Sequence, residues 1–268
     1  MTVSPLSAYK QQVLNDFNGR KGDSDFHKRF ALRLVELAKL QPGQRILDVA
    51  TGTGLAAIPA AQTVGSTGHV LATDFAVGML RQARQKAQAL GLANIAFEAV
   101  DADEQTLCEH HFDTILCSSA IAYFADIPAV LRRWQAALKP GGVAVFSCFA
   151  ETSPSAALLF RQVVQKHGTV IPNPNAPLGT LSKCCSLLEQ AGFGKVEAVT
   201  EQFGGYLQDA ERVWAGNANS AFGLQTVSWT AEKRQQCKQA YLAEIVRRST
   251  EKGYWNDMTA FLVTARRP

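Results

Sequence analysis

RILDVATGTGLAA, residues 45–57, is the stretch whose reading decides the fold. Arg45 to Ala50 is short, apolar and β-favouring, and it runs through Thr51-Gly52-Thr53-Gly54 into an Ala-rich helix. The turn Gly52-Thr53-Gly54-Leu55-Ala56-Ala57 matches G-x-G-x-x-(G/A) between a strand and a helix. Such a turn carries little side chain because the backbone has to approach a ligand at the helix N-terminus. Pro59 falls near the second turn of that helix, where it should cost a hydrogen bond or kink the axis.

The alternation continues on both sides. Lys28 to Leu40 reads as a helix with Arg29, Arg33, Glu36 and Lys39 on a polar face and leucines opposite, ended by Gln41-Pro42-Gly43. His69 to Thr73 is a strand ending at Asp74, Phe75 to Leu90 an amphipathic helix stopped by Gly91, Ile95 to Val100 a strand ending at Asp101, and Phe112 to Cys117 a fourth strand. Asp126 is placed to cap a further helix, and Lys139-Pro140-Gly141-Gly142 turns it into a fifth strand, Val143 to Phe149. Parallel strands need such helical crossovers, so the segment predicts a doubly wound parallel sheet.

Gly194 to Phe203 and Met258 to Ala265 read as two late strands, which completes an α/β, Rossmann-like, mostly parallel seven-stranded sheet. Helices near Ser155–Lys166, Leu181–Gln190 and Ala231–Arg248 take up the surplus length. A chain of 268 residues corresponds to between one and two domains. The expectation is one sheet-centred domain: an N-terminal segment 1–27, a ligand-binding core 28–150, and insertions 151–193 and 204–257 forming a helical lid over the sheet's carboxyl edge.

Composition narrows the function classes. Lys+Arg 27 against Asp+Glu 23 leaves +4, and the basic residues come as scattered pairs such as Lys28-Arg29 and Arg247-Arg248 where a phosphate-tracking surface would concentrate them, so no nucleic acid is expected. No apolar run approaches the ~18 residues of a membrane span. The start, MTVSPLSAYKQQ, shows no secretory leader. The 6 cysteines contain no CxxC and several fall in apparent core segments, which points to free thiols and a cytoplasmic location. The 5 histidines have no ligand spacing, so no metal is expected.

Acids mark successive strand ends. Asp48 lies inside the first strand, where a carboxylate is expensive unless something cationic or hydrogen-bonding satisfies it. Asp74 can accept both hydroxyls of a ribose, and Asp101-Ala102-Asp103 adds another carboxylate and free backbone groups. Three acids facing one crevice suit a ligand with an amino group, a sulfonium and a ribose better than a pyrophosphate, which favours donors and cations.

ILDVATGTG (Ile46–Gly54), VLATDFAVGML (Val70–Leu80), VDAD (Val100–Asp103), FDTILCSSA (Phe112–Ala120) and LKPGG (Leu138–Gly142) resemble the ordered motifs of class I S-adenosylmethionine-dependent methyltransferases. The nearest branch is that of the ubiquinone/menaquinone-biosynthesis and related small-molecule enzymes. The resemblance covers about residues 28–149. It implies S-adenosyl-L-methionine as cofactor, with Asp48, Ala50 and the Thr51, Gly52, Thr53, Gly54 turn holding the methionine part and Asp74 the ribose hydroxyls. It further implies Phe75 and Met79 flanking the adenine, Asp101 and Ala102 on its edge with Asp103 beside them, and Ser118 and Ser119 near the transferred methyl group. Phe75 and Met79 read equally as helix core, and Asp103 as a loop acid.

His27 and His167 are candidate bases for an oxygen acceptor, although each also reads as a surface histidine. Tyr123 is placed to line the acceptor pocket or to pack a helix, and Phe160, Tyr206, Trp214 and Phe222 could furnish an aromatic cavity or simply a core. Enzymes that methylate base amines typically carry Asn/Asp-Pro-Pro-Tyr/Phe after the fourth strand. Here the position reads Ser118-Ser119-Ala120-Ile121, which favours a small-molecule acceptor such as a quinone precursor, phenol or specialised metabolite. The alternatives are a nicotinamide-dependent oxidoreductase using the same glycine turn and a cofactor-binding protein without catalysis.

Overall fold

The computed structural model describes residues 7–20 and 22–268, so residues 1–6 and 21 of the expected N-terminal segment lie outside the described residues. The chain runs α1 (Ala8–Asn18), α2 (Asp25–Ala38), β1 (Arg45–Val49), α3 (Ala57–Val64), β2 (His69–Asp74), α4 (Val77–Ala89), β3 (Ile95–Ala99), β4 (Phe112–Cys117), α5 (Ile127–Ala137) and β5 (Leu138–Phe149). There follow α6 (Ser155–Lys166), α7 (Leu181–Gln190), β6 (Val196–Gln202), β7 (Gly205–Leu207), α8 (Ala210–Ala218), α9 (Ala231–Arg248), β8 (Tyr254–Asn256) and β9 (Thr259–Arg266).

Seven strands form one sheet in the order β3-β2-β1-β4-β5-β9-β6. The pairs β3/β2, β2/β1, β1/β4 and β4/β5 are parallel. β9 opposes its neighbours, since Gly142 bonds Arg267 at one end of β5 while Ala150 bonds Thr259 at the other. The order reverses at β1, whose Asp48 pairs with Ala72 of β2 on one side and Leu116 of β4 on the other. In open α/β sheets such a reversal opens a crevice beyond the strands' carboxyl ends. Buried Ile46, Leu47, Leu80, Ile115, Leu131 and Trp134 fill the core, which is why β1 and β4 read as continuous apolar runs.

Two local expectations change. Pro59 is the third residue of α3, inside the first turn, where backbone N–H groups lack partners within the helix, so the proline costs little. Lys139–Gly142 lies within β5, which starts at Leu138: β4 pairs Phe112 with Leu138 and Thr114 with Val143, so the intervening residues bulge. Lys139 Nζ bonds the Asp113 carboxylate at 2.8 Å across that bulge.

The chain divides into two compact units. The sheet unit comprises Phe17–Cys148, Thr180–Glu201 and Phe261–Pro268. The helical unit comprises the described residues up to Asp16, Phe149–Gly179 and Gln202–Ala260. Its core joins α6, α8 and α9 through Phe160, Trp214 and Tyr241, whose ring centroids lie 5.3 to 6.1 Å apart. Phe160 and Trp214 are therefore core aromatics. Tyr206 is 45% exposed beside Trp255, and Phe222 packs on Tyr9.

Candidate functional site

The chain leaves β1 through two backbone conformations that favour small residues, Ala50 with φ 54° and Gly52 with φ 56°, and enters α3 past Gly54 with φ 83°. A Cβ on Gly54 would lie 3.0 Å from Ile58 Cδ1 and 3.3 Å from Ala83 Cβ, so this glycine is required by conformation and by packing. No side chain caps α3 at Ala56. The buried Asp48 carboxylate accepts the Thr51 hydroxyl at 2.6 Å and the Ala57 N–H, which ties β1 to the start of α3. Burial raises the Asp48 pKa to about 7, the Asp74 charge adds to that, and the bonds from Thr51 and Ala57 oppose it.

Asp74, at the end of β2, closes the turn from the other side. One of its oxygens accepts the Gly52 N–H and the other the Ala76 N–H, each at 2.8 Å. Burial nonetheless keeps its pKa above the usual carboxylate value. Met79 is buried, and its Cε would lie 3.4 Å from a Cβ on Gly52, while Phe75 is half-buried. After β3, Asp101 accepts the Asp103 N–H at 3.0 Å, and Arg133 Nη2 donates to the Ala102 and Asp103 carbonyls. Asp103 is more than a loop acid: its carboxylate receives the Ala125 and Asp126 N–H groups at 2.9 and 3.1 Å, which couples this loop to the start of α5.

The end of β4 carries the least satisfied group of the site. Ser119 has φ 58°, donates its N–H to Ser147 Oγ at 2.8 Å, and holds a buried hydroxyl with no hydrogen-bond partner among the described residues. Ser118 before it is half-buried. A strained backbone and an orphaned hydroxyl at a strand end on the crevice point to a ligand there.

Tyr123 lies in the short turn Ile121–Tyr123 with Phe17 edge-on at 5.3 Å. His27 sits in the first turn of α2; its Nδ1 is 2.5 Å from the capping Ser24 hydroxyl. Burial lowers the His27 pKa, Arg20 adds to the effect and Asp23 partly offsets it, which favours the neutral ring. His167 belongs to the helical unit, where it ends α6, places Nδ1 3.0 Å from the Val163 carbonyl oxygen and packs against Trp229.

Sequence reasoning missed a clamp on the glycine turn. Asp23 accepts Lys86 Nζ at 2.7 Å and the Thr53 hydroxyl, and Lys86 also reaches the Thr53 carbonyl at 3.2 Å. Burial works to raise the Asp23 pKa, but the bonds from Lys86 and Thr53 and the lysine charge outweigh it and hold it low. Asn18 Oδ1 accepts the Gly78 N–H at 2.8 Å, and Gln82 bonds both Arg20 and Gly22. A cavity of about 450 Å³ borders the clamp, lined by Asp23, Thr53, Gly54, Leu55, Lys86 and Leu90 among others. Asp23 and Lys86 are far apart in sequence and share no motif, so only the regularity of Lys86 on α4 was available to find them. Among the described residues no group of three or more His, Cys, Asp or Glu could hold a metal ion.

A family model described as a methyltransferase domain matches residues 40–204, well over half of the chain. The chain belongs to the class I S-adenosylmethionine-dependent methyltransferases. It is similar to aklanonic acid methyltransferase DauC of Streptomyces sp. (strain C5), 31% identical over 69% of this chain and 88% of that protein. It is 30% identical to the ubiquinone/menaquinone biosynthesis C-methyltransferase UbiE of Shewanella frigidimarina over 50% of this chain and 53% of that protein. In fold it resembles Haemonchus contortus phosphoethanolamine N-methyltransferase 2, solved with phosphomonomethylethanolamine and S-adenosylhomocysteine (TM-score 0.56, 17% identity, 89% of this chain and 52% of that one). The methyltransferase uses S-adenosylmethionine, and the nicotinamide alternative is not favoured. The donor set suits this cofactor: carboxylates for its cationic groups and hydroxyls, an uncapped α3 start, and a buried hydroxyl at Ser119 that lacks a partner.

Proposed function

We propose that the methyltransferase acts on a small, partly apolar acceptor in the cytoplasm, of the quinone-precursor, phenol or specialised-metabolite class, and that it uses no nucleic acid. The cofactor supplies a methyl group on a sulfonium. Asp48 and the Ala50–Gly54 backbone hold the methionine part, Asp74 the ribose hydroxyls, Phe75 and Met79 the faces of the adenine, and Asp101 and Ala102 its edge. Asp103 sets the shape of that last loop, and Ser118 and Ser119 border the transferred group. The observation that carries this reading is the pair of buried acids, Asp48 and Asp74, bonded to the two arms of the glycine turn at the sheet's reversal point.

Transfer from a sulfonium is an in-line displacement that discharges a cation, so the protein's work is to align the acceptor and exclude water. An oxygen acceptor needs to lose a proton, and neutral His27 suits that role, with Tyr123 lining the pocket. His167, engaged with the Val163 carbonyl, serves the fold of the helical unit. Acceptor choice belongs to the helical unit, because the cofactor motifs lie in the sheet unit and the methyltransferases named above differ in their acceptors. The small-molecule names of those relatives support this class of acceptor.

Calorimetric titration with S-adenosylhomocysteine and, separately, NADPH tests the cofactor assignment. Saturable binding of the first alone is expected, and the reverse overturns it. Incubation with methyl-labelled cofactor and a panel of phenols, quinone precursors and carboxylic acids tests the acceptor class. Label appearing only in nucleic acid would refute it.

A further inference from the structure

Among the described residues two buried side-chain nitrogen or oxygen atoms have no hydrogen-bond partner: the Ser119 hydroxyl at the cofactor turn and Nη2 of Arg161 in α6. Arg161 is only 8% exposed, and no hydrogen bond, ion pair or ring contact is recorded for it among the described residues. This is unusual within the molecule itself. Arg267 gives Nη1 to the carbonyls of Gln135, Ala136 and Leu138, Arg133 gives Nη2 to those of Ala102 and Asp103, and Arg20 and Arg84 lie over phenylalanine rings.

A guanidinium stays charged in proteins and carries five donors in a planar fork. Burying it unpaired is costly, and an apolar side chain of similar volume would remove that cost. Gln162, Gln165 and Lys166 on the same helix reach solvent, so α6 offers a polar face that Arg161 does not use. Burial pulls its pKa down and nothing opposes it.

We propose that Arg161 is the anion-binding residue of the helical unit and receives the carboxylate of a largely apolar molecule. The inference rests on the reading that this unit selects the acceptor, and it makes that acceptor a carboxylic acid. A carboxylate matches the fork with two parallel hydrogen bonds and cancels its single charge. A phosphate would leave excess negative charge buried, because it carries about −1.5 to −2 near neutral pH. An apolar body suits the helical unit, whose core includes Phe160 and Val164, the neighbours of Arg161 along α6.

The test uses the full chain and three probes of one shape, 2-naphthoate, 2-naphthamide and 2-naphthyl phosphate, titrated calorimetrically into the wild type, Arg161→Met and Arg161→Lys, with S-adenosylhomocysteine titrated in parallel. The wild type is expected to bind 2-naphthoate tightest. Arg161→Met should weaken it by about tenfold or more, the loss typical of a hydrogen bond to a charged group. Arg161→Lys should fall between, 2-naphthamide should not distinguish the three proteins, and S-adenosylhomocysteine affinity should be unchanged. Arg161→Met should melt no lower than the wild type in the absence of probe, because it removes an unpaired charge.

Equal 2-naphthoate affinity in the wild type and Arg161→Met overturns the proposal, as does a wild type that binds the amide as well as the acid. Tighter binding of the phosphate overturns the choice of carboxylate. Failure of both variants to fold, read as loss of S-adenosylhomocysteine binding, makes Arg161 a structural residue and also overturns it. A wild type that binds 2-naphthoate through Arg161 but not S-adenosylhomocysteine would overturn the cofactor assignment and leave the anion site standing.

Discussion

Asp74→Asn separates the two duties of the acid at the end of β2. In the wild type its two oxygens each receive a backbone N–H at 2.8 Å, from Gly52 and from Ala76. An asparagine has one acceptor oxygen, so whichever way the amide turns, its NH2 faces one of those donors. One buried N–H is then left unsatisfied, at about 1–3 kcal/mol. With an m-value of roughly 3 kcal/mol/M in urea, the unfolding midpoint should fall by about 0.3–1 M. Ribose binding loses more. Two hydroxyls that would have met a carboxylate meet at best a neutral amide, a difference of roughly 1–1.5 kcal/mol each, so S-adenosylhomocysteine affinity should drop about 30- to 150-fold. Urea unfolding followed by tryptophan fluorescence gives the first quantity and calorimetric titration the second. A lowered midpoint with unchanged affinity would confine Asp74 to holding the turn. An unchanged midpoint as well would refute the hydrogen-bond argument itself.

Gly54→Ala places a Cβ 3.0 Å from Ile58 Cδ1 on a residue with φ 83°, and the strain should cost about 1–3 kcal/mol in thermal or urea unfolding, with cofactor affinity reduced in parallel. Asp48 has a folded-state pKa of about 7 against an ordinary 3.8, so between these values the native state keeps a proton that the unfolded chain has released. Stability therefore falls as pH rises through that window, and Asp48→Asn should flatten the fall in a pH series of urea midpoints. The same variant should remove the rise in S-adenosylmethionine affinity expected as the pH passes 7, where the wild-type carboxylate becomes the anion that a cation prefers. Ser119→Ala deletes a buried hydroxyl without a partner, so the free protein should be no less stable while methyl transfer slows; a loss of stability with full activity would contradict the assignment of that hydroxyl to a ligand.

Much of this was legible because the parallel sheet writes itself locally. Strands buried on both faces are apolar runs, helices between them are amphipathic, and the ranges of α6, α7 and α9 emerge unchanged from the 3.6-residue period. Acids at the ends of β1 and β2 stand out for the same reason, as charges in apolar surroundings. The Lys139–Gly142 segment was harder. Lys-Pro-Gly-Gly is turn chemistry in any local reading, and only pairing on both sides of Asp113 makes it a bulge within a strand. Short elements such as β7 and β8 owe their existence to each other and carry no periodicity of their own.

What the sequence by itself determined is the order of elements, the glycine turn and the acids at the ends of the neighbouring strands, since these follow from backbone geometry and from solvation counted residue by residue. Tertiary structure alone decided how those groups are satisfied. The two oxygens of Asp74 divide between Gly52 and Ala76, Asp23 meets Lys86 across 63 positions of chain, and Asp103 becomes a tie to α5. It also decided which groups stay unsatisfied. No pattern of residues announces that, among the described residues, the Ser119 hydroxyl and Arg161 Nη2 lack partners, because partnership depends on what the fold brings within about 3 Å, and that distance is not written in the spacing along a chain.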